Sequence, residues 1–315
     1  MKQLARVAAL ALAAAVATPA PARAAEPGAD EADTAIHPGA GAEFWMSTDS
    51  DHTDVIKLLG RALWKFDGSD DYRGVAVEHA WFKPQGQEAR EENRVYLDLA
   101  DDLGSKWRWR ARVGTNGHTV LGSATMRTSD WRHEFFVERE IVETPIGLDR
   151  GIYYTFAGAS LDFPMGKRDT LTATAAVQEF TGKNVRLHLR GNYVHVVNPA
   201  LGLSLQLRAR YFHSTRPGEF DYYSPRDFVQ LMPVAQLRRF DSAGWMYLVA
   251  LGYGAQKATG AGWQSARLAD LRIESPARGR KLHAFAQLQY SNSSLNQGGG
   301  GYHYVAARAG LTTRF

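Results

Sequence analysis

"YHYVAARAGLTTRF" (Tyr302 to Phe315) closes the chain, and its period decides the fold. Counting back by twos puts Phe315, Thr313, Leu311, Ala309, Ala307 and Val305 on one face. Arg314, Thr312, Gly310, Arg308, Ala306 and Tyr304 fall on the other. A period of two is a β-strand, one face apolar and the other carrying two arginines. A soluble sandwich would turn the polar face to water. A membrane barrel inverts this, with apolar side chains on lipid and polar ones in a lumen.

The same alternation recurs upstream. "WRWRARV" sets Trp107, Trp109, Ala111 and Val113 against Arg108, Arg110 and Arg112. "VRLHLRGNYVH" sets Val185, Leu187, Leu189 and Tyr193 against Arg186, His188, Arg190 and Asn192. "LSLQLRARY" opposes Leu203, Leu205, Leu207, Ala209 and Tyr211 to Ser204, Gln206, Arg208 and Arg210. Segments of about 10 residues, with Trp or Tyr near the ends of their apolar faces, match lipid-facing strands with interfacial girdles. Read back from the C-terminus, the connections alternate: "SNSSLNQGGGG", "PARG", "KATGAG", "DSAG", "HSTRPGEFDYY", "NPALG". Longer loops at one end and short turns at the other are the barrel pattern, and a sandwich has no reason to follow it.

The N-terminus predicts export. Lys2 and Arg6 flank the 11-residue run "VAALALAAAVA", followed by an A-x-A site at Ala22 to Ala24, a signal peptide over residues 1–24. The run is too short for a spanning helix, which needs about 20 residues. The leader holds three of the 37 Lys and Arg and none of the 33 Asp and Glu. Its removal leaves the chain nearly neutral, which takes away the support for a nucleic-acid partner. There are no cysteines, so disulfides and thiolate chemistry are excluded, and a large closed sheet needs neither. Residues 25–42, rich in Pro, Gly, Ala and acid, read as a flexible periplasmic linker, leaving 43–315 as the barrel.

Fourteen strands follow from Tyr72 onward. "DVIKLLGRALWKF" (Asp54 to Phe66) is ambiguous, with a helical stripe and also strand alternation around Lys57, Arg61 and Lys65. As a strand it requires one more before it, "AEFWMS", giving sixteen; as a helix it leaves fourteen. Sixteen is the expectation: an all-β, antiparallel transmembrane barrel.

Chemistry beyond transport finds little support. His188 and His195 are an odd number apart and face opposite sides of a strand, so they cannot chelate together. Glu134, Glu138 and Glu140 share a face at spacings within reach of glycosidase separations; the plainer reading pairs them with lumen arginines. "GGGG" (Gly298 to Gly301) has no following helix to make a phosphate loop, and "GLSLQ" lacks the second glycine of a nucleophile elbow. No metal or cofactor is called for.

Three stretches carry a family resemblance: "EREIVETPIGLDRGI" (Glu138 to Ile152), "QEFTGKNVRLHL" (Gln178 to Leu189) and "YYSPRDFVQLMPVAQLRR" (Tyr222 to Arg239). In order and spacing they resemble the C-terminal barrels of bacterial exopolysaccharide exporters, the poly-N-acetylglucosamine porin and the cellulose-export subunit. The terminal Arg-Phe resembles theirs too. The resemblance implies an outer-membrane, sixteen-stranded pore of the biofilm-matrix type. Its partners would be the exported polysaccharide, outer-membrane lipid and the barrel assembly machinery, with Phe315 in the assembly signal. Those exporters carry periplasmic tetratricopeptide helices that this sequence lacks. A separate tetratricopeptide protein, or an inner-membrane glycan synthase, would then be the partner.

The expected path lines the lumen with Arg108, Arg110, Arg112, Arg186, Arg190, Arg208, Arg210, Arg308 and Arg314. The acids expected to face them are Asp98, Glu134, Glu138, Glu140, Asp162, Asp270 and Glu274. Arg186, Arg190, Arg208 and Arg210 group on strands joined by "NPALG", a positive stripe suited to a neutral or anionic polymer, unlike the cationic glycan of the nearer likeness. The competing functions are a barrel enzyme on lipid or glycan, and a structural or adhesive barrel with a blocked lumen.

Overall fold

The computed structural model describes residues 37–276, 281–292 and 302–315. The expected signal peptide, most of the expected linker and "GGGG" lie outside them. Sixteen strands follow one another: β1 Gly39–Asp49, β2 Asp54–Gly68, β3 Asp71–Lys83, β4 Arg90–Leu103, β5 Trp107–Thr115, β6 Val120–Thr128, β7 His133–Ile141 and β8 Tyr153–Pro164. Then come β9 Asp169–Phe180, β10 Val185–Asn198, β11 Leu203–Ser214, β12 Asp227–Phe240, β13 Met246–Ala258, β14 Gln264–Glu274, β15 Leu282–Ser291 and β16 Tyr304–Arg314. Each pairs antiparallel with the next, and β1 with β16, in a closed barrel. Closure leaves no exposed edge, so every strand has two partners for its backbone polar groups.

The terminal strand behaves as its period demands. β16 runs from Tyr304 opposite Asp49 to Arg314 opposite Gly39, and the Phe315 N–H donates to the Pro38 carbonyl at 2.9 Å. β1 begins at Gly39, four residues ahead of the expected start of the barrel at Glu43. The ambiguous Asp54 to Phe66 stretch is strand β2, paired along β1 and β3 with bulges near Leu63 to Lys65 and Phe66 to Gly68. A helix there would have left closure to fourteen strands, with β3 against β16; instead β16 closes on β1, and β2 joins β1 to β3. As a strand, it aims Lys57 and Arg61 at lumen carboxylates.

Apolar side chains ring the outside. Val77, Val95, Leu97, Leu189, Leu251 and Leu311 are each exposed by half or more, so the band needs an apolar medium to cover it. Exposed aromatics bracket it: Trp64, Trp131, Phe163, Phe240 and Phe315 towards the chain termini, Tyr211, Tyr253 and Trp263 towards the opposite end. The latter end carries the longer connections, 142–152, 215–226 and 292–303, and the terminal end the shorter turns. No described helix is long and apolar enough to cross a membrane, and the strands make the crossing.

One short helix was not expected. α1, Pro145–Arg150, sits in the β7–β8 connection. Thr144 caps it, accepting from the Gly147 N–H at 3.2 Å, proline stands in its first turn, and Gly151 ends it at φ 64°. These are ordinary start and stop signals, hidden because so short a helix has no periodicity to show. It buries Leu148 with Val55, Phe82 and Ile141 against the inner wall of β2 and β3.

Candidate functional site: a lumen with two unlike walls

On the β1–β7 side, cations and carboxylates are interleaved. Arg94, fully buried, donates to Glu92 at 2.7 Å, Glu140 at 2.9 Å and Glu78 at 3.1 Å. Lys57 lies 2.8 Å from Glu143 and 3.5 Å from Glu140. Arg112 meets Asp98 at 2.9 Å and Glu43 at 3.2 Å, while Arg61 pairs with Glu43 and lies 3.5 Å from Asp98. Burying a charge is tolerable when partners surround it, and this wall, though single nitrogens of Arg61, Arg94 and Arg112 lack an acceptor, gives each of these cations a carboxylate.

The β10–β11 side does not. In its register Arg190 stands directly opposite Arg210, Asn192 opposite Arg208, and Arg186 opposite Ser214. Among the described residues, no carboxylate lies within 4.0 Å of Arg186, Arg190, Arg208 or Arg210. Arg186 donates to neutral oxygens instead, Ser214 Oγ at 3.3 Å, Gln178 Oε1 at 3.4 Å and the Tyr223 carbonyl at 2.5 Å. Arg208 donates to Gln206 at 2.9 Å. Arg210 is half-buried, and its enclosed Nε and one terminal nitrogen lack any hydrogen-bond partner. Aromatic faces take part of the load: Arg186 lies 4.5 Å from the Phe212 ring centre and 5.1 Å from Phe180, and Arg190 lies 5.6 Å from Phe156. Such contacts contribute about 0.5–2 kcal/mol each.

Between the walls lies a cavity of about 670 Å³. Arg186, Arg190 and Arg210 line one side, and Lys57, Glu138, Glu140 and Glu143 the other. Trp45, Tyr154, Phe156, Phe180, Tyr222 and Tyr304 fill in between. A second space of about 270 Å³ shares Trp45, Lys57, Glu138 and Glu140 with it and reaches Arg112 and Arg308.

The mouth above this cavity is built from the three family-like stretches together with Glu219 and Asp221 just ahead of the third. Asp221 accepts from Thr144 Oγ1 at 2.6 Å and from the Ile146 N–H at 2.7 Å, tying the 215–226 loop to α1. Glu219 accepts from the Lys183 and Asn184 N–H groups, and Asn184 donates to the Tyr222 hydroxyl at 3.0 Å. Tyr222 stacks on Phe180 with centroids 4.2 Å apart, inside a cluster with Val142 and Ile152. Burial raises the Tyr222 and Tyr223 phenols above their ordinary pKa.

The expected path residues all project to the inner face by strand parity, but they are not equivalent. Arg108 reaches Asp70 and Asp102 at 3.5 and 3.4 Å; among the described residues Arg110 donates to Thr125 alone and Arg308 to Gln287 alone. Arg314 lies 3.8 Å from Asp67. Glu138 takes the Tyr154 hydroxyl, Asp162 takes Thr172, Asp270 takes Gln287, and Glu274 pairs with Arg272. Glu140 does pair with cations, but with Arg94 and Lys57, which the arginine list had not included; Glu134 shows no ion pair among the described residues. His188 is buried in the lumen against Gln178, while His195 faces outward against Asp169. The described residues hold no cluster of three or more metal-ligating side chains.

Glu43, Glu78, Glu92, Arg94 and Trp45 also face the lumen, though none was among the residues expected there. The signal was available in "RVYLDLA", where Arg94, Tyr96 and Asp98 share a face.

No protein-family model and no curated protein matches this sequence. Among solved structures, one described as a bacterial polysaccharide outer membrane secretin matches at TM-score 0.60 and 14% identity, covering 88% of this chain and 98% of that one. What the two share is the barrel. Pseudomonas aeruginosa OprD (TM-score 0.42, 9% identity, 91% and 98% covered) and a KdgM porin (0.36, 9%, 87% and 99%) match more loosely.

Proposed function

We propose that this chain is an outer-membrane pore through which a bacterial exopolysaccharide is exported. The observation that carries the reading is the convergence at the mouth. The three stretches that resemble polysaccharide exporters lie apart in sequence, yet they meet in one cluster of Val142, Ile152, Phe180 and Tyr222, with Asn184 donating to the Tyr222 hydroxyl. Residues that touch in a shared arrangement explain why motifs recur together. The apolar belt with aromatic rims supports a membrane setting, and the like fold of a polysaccharide secretin supports the cargo. Export is passive: a wet, charged and aromatic lumen removes the bilayer's barrier, and synthesis inside supplies the push. An inner-membrane glycan synthase, with or without a separate tetratricopeptide protein, feeds it. The cavities between the walls favour passage over a purely structural barrel. Glu140, locked between Arg94 and Lys57, is poorly placed for glycoside chemistry.

The test joins cells and bilayers. Deleting the gene in the source bacterium is expected to abolish surface polysaccharide and trap polymer in the periplasm. The purified protein is expected to give stepwise conductance in planar bilayers. Unchanged surface polymer together with no conductance would overturn the proposal.

A further inference from the structure

We propose that Arg186, Arg190 and Arg210 form a subsite within the lumen for the oxyanions of an anionic glycan, of which a uronic-acid polymer is the simplest kind. The polymer part rests on the pore reading above; the anion subsite rests on the geometry.

Two guanidinium groups directly opposite one another across a strand pair repel, and Arg190 and Arg210 are such partners. The barrel has no shortage of carboxylates, since Arg94 and Arg112 each hold more than one. Among the described residues, their absence beside the lumen-facing cations of β10 and β11 is therefore local, and it leaves Arg186, Arg190 and Arg210 without an ion-pair partner. Arg210 carries the cost most plainly, with two buried nitrogens lacking any acceptor. Arg186 has only neutral acceptors. A buried, unsatisfied charged donor is destabilising unless a partner arrives. Guanidinium is also the side chain best shaped to hold a carboxylate through paired N–H donors.

All three arginines line the same cavity of about 670 Å³, within the roughly 300–1,000 Å³ usual for small-molecule sites. Phe156 and Tyr154 face that space beside the cations, offering apolar surface to the C–H face of a sugar ring while its carboxylate meets the arginines. Across the cavity Glu140 and Glu143 are offset by Lys57 and Arg94, while Glu138 has no cation partner among the described residues and takes the Tyr154 hydroxyl, so an entering anion meets its attraction on the β10–β11 side.

Binding is measured by calorimetry on the full-length barrel in detergent, with trigalacturonate, maltotriose and sodium sulfate at matched ionic strength. Trigalacturonate is expected to bind at least about ten-fold more tightly than maltotriose. Sulfate is expected to compete only weakly, and raising the salt to weaken the preference. In the Arg190→Gln, Arg210→Gln double variant the preference disappears, and relief of repulsion leaves the variant at least as heat-stable as wild type. The wild-type comparison stands even without a folded variant. Equal affinity for the two trisaccharides, or a preference the variant keeps, would overturn the subsite. Sulfate competing as well as trigalacturonate would overturn its glycan character. Uronate preference without bilayer conductance would retain the subsite and remove the pore; conductance without the preference would do the reverse.

Discussion

Arg94 is the most completely enclosed charge among the described residues, and three carboxylates depend on it. Replacing it with methionine keeps much of the volume and removes every donor. Leaving buried carboxylates without their cation costs about 3–5 kcal/mol, so Arg94→Met is expected to lower the urea midpoint of the barrel in lipid vesicles markedly. A loss under about 1 kcal/mol would mean that the acids reach water instead. Side-chain alternation specifies which residues share a face with Arg94, because pleating is fixed by local covalent geometry, although that signal went unused. It did not tell which acids surround it. Glu78 and Glu140 lie 16 and 46 positions away, and their approach depends on register and on the curvature of a closed sheet. The same ignorance hid the difference between the two walls: Arg112 and Arg190 sit in similar "R-x-R" or "R-x-x-x-R" surroundings, and one is paired while the other faces Arg210.

At the scale of elements, Asp221 links two connections that the strand pattern treats as unrelated. Asp221→Ala removes the acceptor for both Thr144 and the Ile146 N–H. Losing such a terminal contact costs roughly 0.5–2 kcal/mol of local stability. Hydrogen exchange at Ile146 should accelerate by about ten-fold while strand amides are unaffected. Equal acceleration throughout the barrel would show that the loop supports the whole sheet rather than the mouth. α1 itself was legible only after the fact, since six residues carry caps but no period. β2 was legible as one of two options. Its choice was settled outside itself, by the need of β1 and β3 for a partner and by carboxylates that receive Lys57 and Arg61.

The whole molecule depends on the seam where its ends meet. β16 closes on β1 over the full length of both, and Phe315 follows with its side chain 73% exposed at the terminal rim. A carboxylate there would meet the apolar and interfacial zone of a bilayer. Phe315→Asp is expected to reduce the heat-modifiable, folded species in membranes several-fold while total synthesis is unchanged. Wild-type amounts of folded barrel would show that the terminal aromatic is incidental to assembly. Alternation of apolar and polar residues, the even strand number and the alternation of long and short connections were all present in the one-dimensional pattern, because each follows from the pleat or from chain parity. Which carboxylate neutralises which arginine, and that Arg186, Arg190 and Arg210 line a cavity with no ion-pair partner among the described residues, was decided only by the tertiary structure. Those contacts run between strands remote in sequence, and the register and closure that place them are properties of the whole ring rather than of any segment in it.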